Sequence, residues 1–487
     1  PSAPHAAIQE AIISIKKSHS LNLFEQNRKF YDWIKNGLQV EFSYNNNIKT
    51  EHINLIDFEN PDNNDWLVVN QFSVKTIGKP RRADLVVFVN GLCLSLFEFK
   101  NPADLDTDVW EAFNQIETYK EDVPELFAFN VLNVISDGIE TKYGSLFSPK
   151  ERFLEWKTID SEEVNPLGEN SIHLLETTIR GIFDKNRFLN FIQNFVVFEY
   201  SGTTYNKKIA GYHQFNAVNA ALESILKAHE STESPRKGGV TWHTQGAGKS
   251  IEMLCLVGKI QKHPKLKNPT VLLVTDRNDL DGQLYETFVQ SQFVVSTDST
   301  KIESRTELRT KLSGIRAGGL FFTTIQKFEP GQDNDVYPVL TDRSNVIVIV
   351  DEAHRSKYGF KGALDNTKTK FGYAKYLRDA LPGAIYYAFS GTPLETADKD
   401  TTAVFGNYTH VYDMAQATKD KATVPIYYQQ CKIPLSISAS TDLLDSEVES
   451  LISVEDNQLQ GELKAKWASL NNIVCADSRI KKLVNHF

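Results

Sequence analysis

One nine-residue stretch, Trp242–Ser250, constrains the fold of this chain more than any other. It reads Trp-His-Thr-Gln-Gly-Ala-Gly-Lys-Ser, follows an apolar approach and leads into an apolar segment with helical spacing. A strand, tight loop and helix of this kind bind phosphate, because glycines let backbone N–H groups approach closely and the helix N-terminus adds its dipole. The residues predicted to hold a nucleotide here are Thr244, Gly246, Ala247, Gly248, Lys249 and Ser250.

Two side chains of this loop are expected to act directly on the nucleotide. Lys249 is expected to reach the terminal phosphates, and Ser250 is expected to bind Mg²⁺. The usual motif has Gly where this chain has His243, so an ordinary strand-to-helix turn is the alternative for the loop taken alone.

A second motif favours the nucleotide interpretation. Residues 344–350 contain a continuous apolar run from Val346 to Val350, typical of a strand buried on both faces of a parallel sheet, and they are followed by Asp351 and Glu352. Ligands bind at the carboxyl ends of such strands. We therefore expect Asp351 to hold Mg²⁺ and Glu352 to activate the attacking water of a nucleoside triphosphatase. The alternative is a pair of acidic residues that begin a helix.

Composition and charge limit the classes of protein to which this chain can belong. The 487 residues suffice for two to four domains, and no apolar run approaches the ~20 residues of a membrane span. The four cysteines are isolated from one another, which fits a reducing cytoplasm. A net charge of −9 restricts any DNA contact to local basic surface. The first residue is Pro and no signal peptide follows, so we expect a fragment of a longer protein.

A predicted hairpin near the N-terminus contains a second set of candidate catalytic residues. Two alternating apolar runs flank Asn90-Gly91, the strongest short-range indication of a hairpin. Asp84 lies in the first run, and Glu98 and Lys100 share one face of the second. This arrangement resembles the PD-(D/E)xK nuclease core, in which the carboxylates bind Mg²⁺ and the lysine assists the attacking water. A charged strand end with a partly buried salt bridge is the alternative.

The register of this hairpin tests the nuclease interpretation. A two-residue turn at Asn90-Gly91 would place Asp84 opposite Phe97 and leave Glu98 on the other face. For Asp84 and Glu98 to share a site, the pairing of the two strands must be shifted by one residue. We therefore predict a three-residue loop or a bulge near 90–92.

Further segments resemble nucleic-acid enzymes. Gln115 and Tyr119 lie four residues apart on a predicted helix and resemble the Gln-x-x-x-Tyr signature that lies along DNA in some nucleases. Gln214, at a helix entry, resembles the adenine-reading glutamine of superfamily 2 helicases. Other strand ends resemble segments of those helicases that contact the DNA backbone, at Asp276, Arg277, Gln283, Thr324, Gln326 and Lys327. A last group, His354, Ser390, Gly391 and Thr392, resembles residues that couple nucleotide state to DNA.

Taken together, these motifs strongly resemble the restriction (R, or motor) subunits of type I restriction-modification enzymes. The resemblance implies duplex DNA, ATP and Mg²⁺ as ligands, and methylation and specificity subunits as partners. It also implies cutting of unmethylated DNA far from the recognised site. A repair helicase-nuclease, or a non-catalytic DNA-binding or assembly module, is the alternative. No membrane association is expected.

The fold class that follows is α/β, with two architectures in sequence. We predict a PD-(D/E)xK domain with a mixed sheet and a helical connector over 1–200, and a parallel RecA-like domain of a superfamily 2 helicase over 201–425. An incomplete second RecA-like domain is predicted over 426–487. Because no arginine-finger segment is visible there, we expect this chain to bind nucleotide, hydrolyse it poorly and not translocate.

Overall fold

The computed structural model describes most of the chain up to residue 424. It omits 1–2, 18–21, 46, 76–79, 102, 104–107, 161, 169–170, 202–203, 233–234, 277, 292–293, 296–297, 330–336, 353–362, 366–367, 371–372, 393–403 and 425–487. By its internal contacts the chain separates into two units, residues 1–423 and 424–487.

The helices occur in every part of the described chain. They are α1 (His5–Lys16), α2 (Leu23–Asn36), α3 (Val109–Asp122), α4 (Ser171–Ile182), α5 (Lys185–Asn194), α6 (Tyr212–Glu230), α7 (Lys249–Lys262), α8 (Asn278–Gln290), α9 (Arg305–Gly314), α10 (Tyr373–Ala380) and α11 (Met414–Lys419). Among these helices, none combines the length and the apolar character that crossing a membrane requires.

Over the described residues, the strands form two large sheets and three two-stranded hairpins. They are β1 (Leu38–Tyr44), β2 (Asn47–Ile53), β3 (Trp66–Val74), β4 (Arg81–Val89), β5 (Leu92–Phe99), β6 (Leu132–Ser136), β7 (Thr141–Gly144), β8 (Val196–Ser201), β9 (Thr204–Ile209), β10 (Arg236–His243), β11 (Thr270–Thr275), β12 (Ser299–Lys301), β13 (Leu320–Thr324), β14 (Val346–Val350), β15 (Ala363–Asp365), β16 (Lys368–Lys370), β17 (Ile385–Ser390) and β18 (Tyr408–Tyr412).

The N-terminal sheet is mixed, as predicted. Its order is β3-β4-β5-β6-β7; the pair β5–β6 is parallel and the other neighbours are antiparallel. Helix α3 covers one face, where Ile116 packs with Val86 and Leu96. Helices α2 and α5 cover the other, where Val87 and Val134 join their apolar side chains. Helices therefore cover both faces of this sheet, and the ends of its strands are left as the places where polar side chains can meet a ligand.

The second sheet is parallel throughout, also as predicted. Its order is β12-β13-β11-β14-β17-β10-β18. Strand β14 is fully buried: Ile347 and Ile349 pack against one layer, whereas Val348 and Val350 pack against the opposite one. This two-sided burial explains why its sequence is apolar at every position and does not alternate with polar residues.

An aromatic core joins the two sheets. Phe191 of α5 and Phe195, the residue that follows α5, contact Phe215 of α6, with ring centroids 6.2 and 4.7 Å apart. Tyr143 of β7 donates a hydrogen bond to the carbonyl oxygen of Ala210 at 2.8 Å. The boundary that we predicted at residue 201 falls at the hairpin β8–β9, within this continuous core. The domain limits remain predictions.

A buried lysine lies under the same hairpin. Lys207 of β9 is 2% exposed, and its Nζ donates to Asn27 Oδ1 at 2.9 Å and to the Asn130 carbonyl oxygen at 2.5 Å. Both acceptors are neutral, and a neutral amine has two N–H groups to give them. Burial lowers the pKa of Lys207 to about 7, because the ammonium form loses its hydration.

Replacing Lys207 by Met is expected to change how stability depends on pH. The folded-state pKa of about 7 lies below the ordinary 10.5, so between these values the unfolded chain binds more protons. The stability of the natural protein relative to Lys207→Met should thus rise by about 2 kcal/mol from pH 7 to pH 9. Urea unfolding of both proteins at each pH measures this difference. A difference that is independent of pH would mean that the buried amine stays charged.

Candidate functional site

The hairpin β4–β5 brings the predicted nuclease residues into register. Asn90 and Gly91 form a two-residue turn with φ values of 52° and 78°, and Val89 pairs with Leu92. The register then shifts, so that Val87 pairs with Ser95 and the extra residue, Leu94, forms a bulge. The predicted offset is confirmed. The bulge lies two positions beyond the turn, where the buried Leu94 side chain fills the core.

The offset brings Asp84 beside the end of β5. Asp84 Oδ2 accepts a hydrogen bond from the Phe99 backbone N–H at 2.9 Å, and its Oδ1 accepts one from Gln71 Nε2 at 3.1 Å. Glu98 is 1% exposed, and its Oε2 is buried without a hydrogen-bond partner among the described residues. Burial, together with the negative charge of Asp84, raises the pKa of Glu98 to about 8, and Lys100 partly opposes this shift.

Lys100 connects the strand to helix α3. Its Nζ donates a hydrogen bond to Gln115 Oε1, and Gln115 Nε2 donates to Tyr119 Oη at 2.6 Å. Tyr119 Oη in turn donates to the Arg82 carbonyl oxygen at 2.8 Å. Within the described part of the chain, Lys100 forms no ion pair with Asp84 or Glu98, so the salt bridge of the alternative interpretation is not seen.

The two carboxylates fit a divalent cation. Glu98 Oε2 is a buried acceptor that lacks a donor, which is costly unless a cation or a proton satisfies it. Carboxylate oxygens are the ligands that Mg²⁺ prefers, and Mg²⁺ usually keeps water or phosphate oxygens for its other positions. Over the described ranges there is no group of three or more His, Cys, Asp or Glu side chains that could hold a metal.

The loop after β10 has the geometry of a phosphate cradle. Gly246 and Gly248 have φ values of 86° and 88°, which side chains with a Cβ rarely adopt. Gly248 is also the N-cap of α7, and a Cβ at this position would overlap Gln214 Nε2. Ala247 and Thr244 are buried, and the Thr244 N–H is bonded to the Tyr412 carbonyl oxygen at 3.0 Å. The loop is therefore anchored to β18 as well as to β10.

Residues from three neighbouring strands meet at this loop. Lys249 Nζ donates to the His243 carbonyl oxygen at 3.2 Å and lies 3.8 Å from Glu352 Oε1. A Cβ added at Gly391 would lie 2.9 Å from the same Nζ, so the end of β17 also approaches it closely. Asp351 Oδ1 accepts from the Glu352 backbone N–H at 2.9 Å. The structure thus brings together Lys249, Glu352 and Gly391, at adjacent carboxyl ends of the parallel sheet.

The remaining predicted motor residues have varied surroundings. Ser250 is half-buried in the first turn of α7. Ser390 Oγ accepts from the Thr392 backbone N–H at 3.4 Å, so these two residues form a local turn beside Gly391. Gln214 donates from Nε2 to the Ala247 carbonyl oxygen at 3.0 Å, while its Oε1 accepts from the Gly211 N–H. Its amide lies against the phosphate loop, and its contact with adenine remains a prediction.

His243, the departure from the usual loop, lies in a buried polar network. Its Nδ1 is 2.8 Å from Glu252 Oε1, and its Nε2 is 2.7 Å from His410 Nδ1. Burial and the nearby charge of Lys249 lower the pKa of His243 to about 3, and burial raises the pKa of Glu252 to about 8. Both shifts favour the uncharged forms of these groups, and the network ties the loop to α7 and β18.

Four of the predicted DNA-contacting residues lie at or just after two other strand ends of the same sheet: Asp276, Thr324, Gln326 and Lys327. Gln326 Nε2 donates to the Asp276 carbonyl oxygen at 2.6 Å, which joins the ends of β13 and β11. Lys327 donates to the Ile302 carbonyl oxygen, and Gln283 is exposed on α8. Thr324 is 2% exposed, so its side chain is not on the surface. Arg277 and His354 lie outside the described residues.

Sequence reasoning did not identify three partners of these sites: Gln71, Glu252 and His410. Glu252 carried a usable signal, since a lone carboxylate in an otherwise apolar helical segment needs a partner. Gln71 and His410 carried none, because only strand pairing brings them to Asp84 and His243.

Comparison with known proteins matches two family profiles to this chain. The profile of the SWI2/SNF2 ATPase family matches residues 213–461, and that of the type I restriction enzyme R protein N terminus matches residues 3–152. The chain is 42% identical over 463 residues to the type I restriction enzyme HindI endonuclease subunit of Haemophilus influenzae, covering 93% of this chain and 43% of that protein.

A second relative is archaeal. It is a Methanocaldococcus jannaschii protein, provisionally named as the type I restriction enzyme MjaIXP endonuclease subunit, with 36% identity over 482 residues. The alignment covers 94% of this chain and 44% of that protein, so this chain spans less than half the length of both relatives. The chain belongs to the SWI2/SNF2 ATPase family, in the form found in the endonuclease (R) subunits of type I restriction enzymes.

Proposed function

We propose that the protein carrying this chain is an ATP-driven DNA translocase and Mg²⁺-dependent endonuclease, acting on unmethylated duplex DNA far from a recognised site. Methylation and specificity subunits would be its partners, in a reducing cytoplasm. One observation carries the proposal: Asp84 and Glu98 share a strand end with Lys100, on the same chain as the Lys249 loop. The names of the relatives support the class of enzyme.

In the nuclease site, Asp84 and Glu98 would supply carboxylate oxygens to the cation. Mg²⁺, when bound, polarises the phosphodiester and lowers the pKa of water. Lys100 places an ammonium group two residues from Glu98, and its bond to Gln115 holds it towards α3. In hydrolysis the water oxygen bonds to phosphorus, the bond to the leaving sugar oxygen breaks, and that oxygen takes a proton. Lys100 would stabilise the added negative charge.

In the motor site, Lys249 would exchange its bond to the His243 carbonyl oxygen for phosphate oxygens of ATP. Ser250 and Asp351 would hold the accompanying Mg²⁺. Glu352 would accept a proton from the attacking water, and its Oε1 already lies 3.8 Å from Lys249 Nζ. Gly391, which approaches Lys249 closely, and the adjoining Thr392 would pass the nucleotide state to the strand ends predicted to contact DNA.

A comparison of circular and linear DNA tests this proposal. The full-length protein, assembled with its methylation and specificity subunits, should cut an unmethylated circular plasmid only when both ATP and Mg²⁺ are present. Methylation of the plasmid should protect it. Agarose gels over a time course measure the cutting. Cutting that needs a free DNA end and no methylation partner would favour a repair helicase-nuclease instead.

A further inference from the structure

Gln71 has an unusual backbone conformation for its place in the fold. It lies inside β3, yet its φ is 52°, in the left-handed region that costs energy for a residue with a Cβ. Other non-glycine residues with positive φ, such as Asn45, Asn90 and Lys421, occupy turns. Glu352, beside the motor site, is another exception. Strain of this kind persists only where surrounding structure enforces it, and it concentrates at functional sites.

The strained backbone interrupts the sheet opposite Asp84. Asn70 pairs with Leu85 and Phe72 pairs with Ala83, but no regular pairing links Gln71 with Asp84 between them. A side-chain bond takes its place: Gln71 Nε2 donates to Asp84 Oδ1 at 3.1 Å. The unfavourable backbone conformation of Gln71 thus occurs where its side-chain amide reaches Asp84, a candidate cation ligand.

Asp84 is consequently held from both sides. Phe99 N–H, from β5, bonds to Oδ2, and Gln71, from β3, bonds to Oδ1. Each carboxylate oxygen has further lone pairs, so these two bonds fix the orientation of the group and leave acceptor capacity for a cation. An amide suits this task because it donates a hydrogen bond without neutralising the carboxylate charge. A lysine or arginine would compete with the metal.

We propose that Gln71 is a positioning residue of the nuclease site, which orients the Asp84 carboxylate for a divalent cation shared with Glu98. This inference rests on the proposed nuclease function. Hydrogen-bond partners of metal ligands typically account for about 10- to 100-fold in metal affinity or activity. Loss of the amide should weaken cation binding and cutting by this factor, and ATP hydrolysis should be unchanged.

Two substitutions separate the amide from the backbone strain. Gln71→Gly removes the amide and relieves the strain, whereas Gln71→Met removes the amide and keeps the strain. Both should raise the Mg²⁺ concentration for half-maximal plasmid cutting by about 10- to 100-fold. The melting temperature of Gln71→Gly should equal or exceed that of the natural protein. Asn70→Gly, at the neighbouring exposed position, is the control and should leave the Mg²⁺ dependence unchanged.

Binding can be measured without catalysis. Electron paramagnetic resonance of Mn²⁺, titrated into the full-length protein without nucleotide, should show weaker binding in both Gln71 variants and no site in Asp84→Asn. A loss seen only with Gly, which alone of the two changes the backbone preference, would assign the effect to the backbone and overturn the inference. Unchanged cation dependence in both variants, with Asp84→Asn inactive, would overturn it and leave the nuclease assignment intact. Full cutting by Asp84→Asn would instead overturn the nuclease function itself.

Discussion

Asp84→Asn in the full-length subunit is expected to reduce plasmid cutting by about 10³-fold while ATP hydrolysis continues. The substitution keeps the size of the side chain but removes the charge that a divalent cation requires, a loss of roughly 4 kcal/mol of transition-state stabilisation. The hairpin and the loop around Lys249 have separate polar contacts, so the rate of ATP hydrolysis should not change. Plasmid cutting and phosphate release, measured in the same reaction, separate the two activities.

The matched control for this experiment is Asp65→Asn. Asp65 is an exposed aspartate that immediately precedes β3, and its main chain bonds to Asn90 at the turn end of the hairpin. Its substitution should leave cutting unchanged. If Asp84→Asn still linearises plasmid at the natural rate, the acidic strand ends are structural and the breakage of DNA occurs elsewhere in the protein.

Lys249→Ala is expected to remove both activities. The ammonium group lies between the ends of β10, β14 and β17, where it would balance the phosphate charge of ATP. We expect ATP hydrolysis to fall by about 10²- to 10³-fold, as for loss of a group that stabilises transition-state charge. Cutting should fall with it because translocation precedes cleavage in the proposed function. Steady-state phosphate release and plasmid cutting measure the two effects.

Lys237→Ala provides the comparison, because Lys237 is an exposed residue near the opposite end of the same strand. A measurement of Mn²⁺ binding also distinguishes the nuclease site from the motor site. Mn²⁺ binding without nucleotide should persist in Lys249→Ala, since the nuclease carboxylates are untouched. ATP hydrolysis at the natural rate in Lys249→Ala would show that the loop after β10 does not bind the reacting phosphates.

Local sequence patterns predicted the architecture well. The apolar run of β14, the Asn90-Gly91 turn and the glycine loop before Lys249 each encode their geometry within a few residues. Such signals depend on backbone preference and on which faces are buried, and both can be read from neighbouring positions. The parallel sheet followed from these patterns, whereas the mixed sheet was predicted from the resemblance to the PD-(D/E)xK nuclease core.

Contacts between distant residues could not be predicted in the same way. His243 and His410 are 167 positions apart, and Lys157 forms an ion pair with Asp420 from 263 positions away. The bulge at Leu94 was predicted as an offset, but its position depended on which side chain the core could accept. Whether a strand accommodates its extra residue in the turn or beyond it is a question of packing, which no short window of sequence contains.

The sequence by itself determined which chemical groups this protein has and at which strand ends they lie. Only the tertiary structure decided how those groups are oriented: Gln71 against Asp84, Gln115 against Lys100, and His243 against His410. The reason is physical. Backbone preference acts over a few residues, whereas the direction of a buried polar side chain is set by whichever partner the packed strands and helices bring within hydrogen-bond distance.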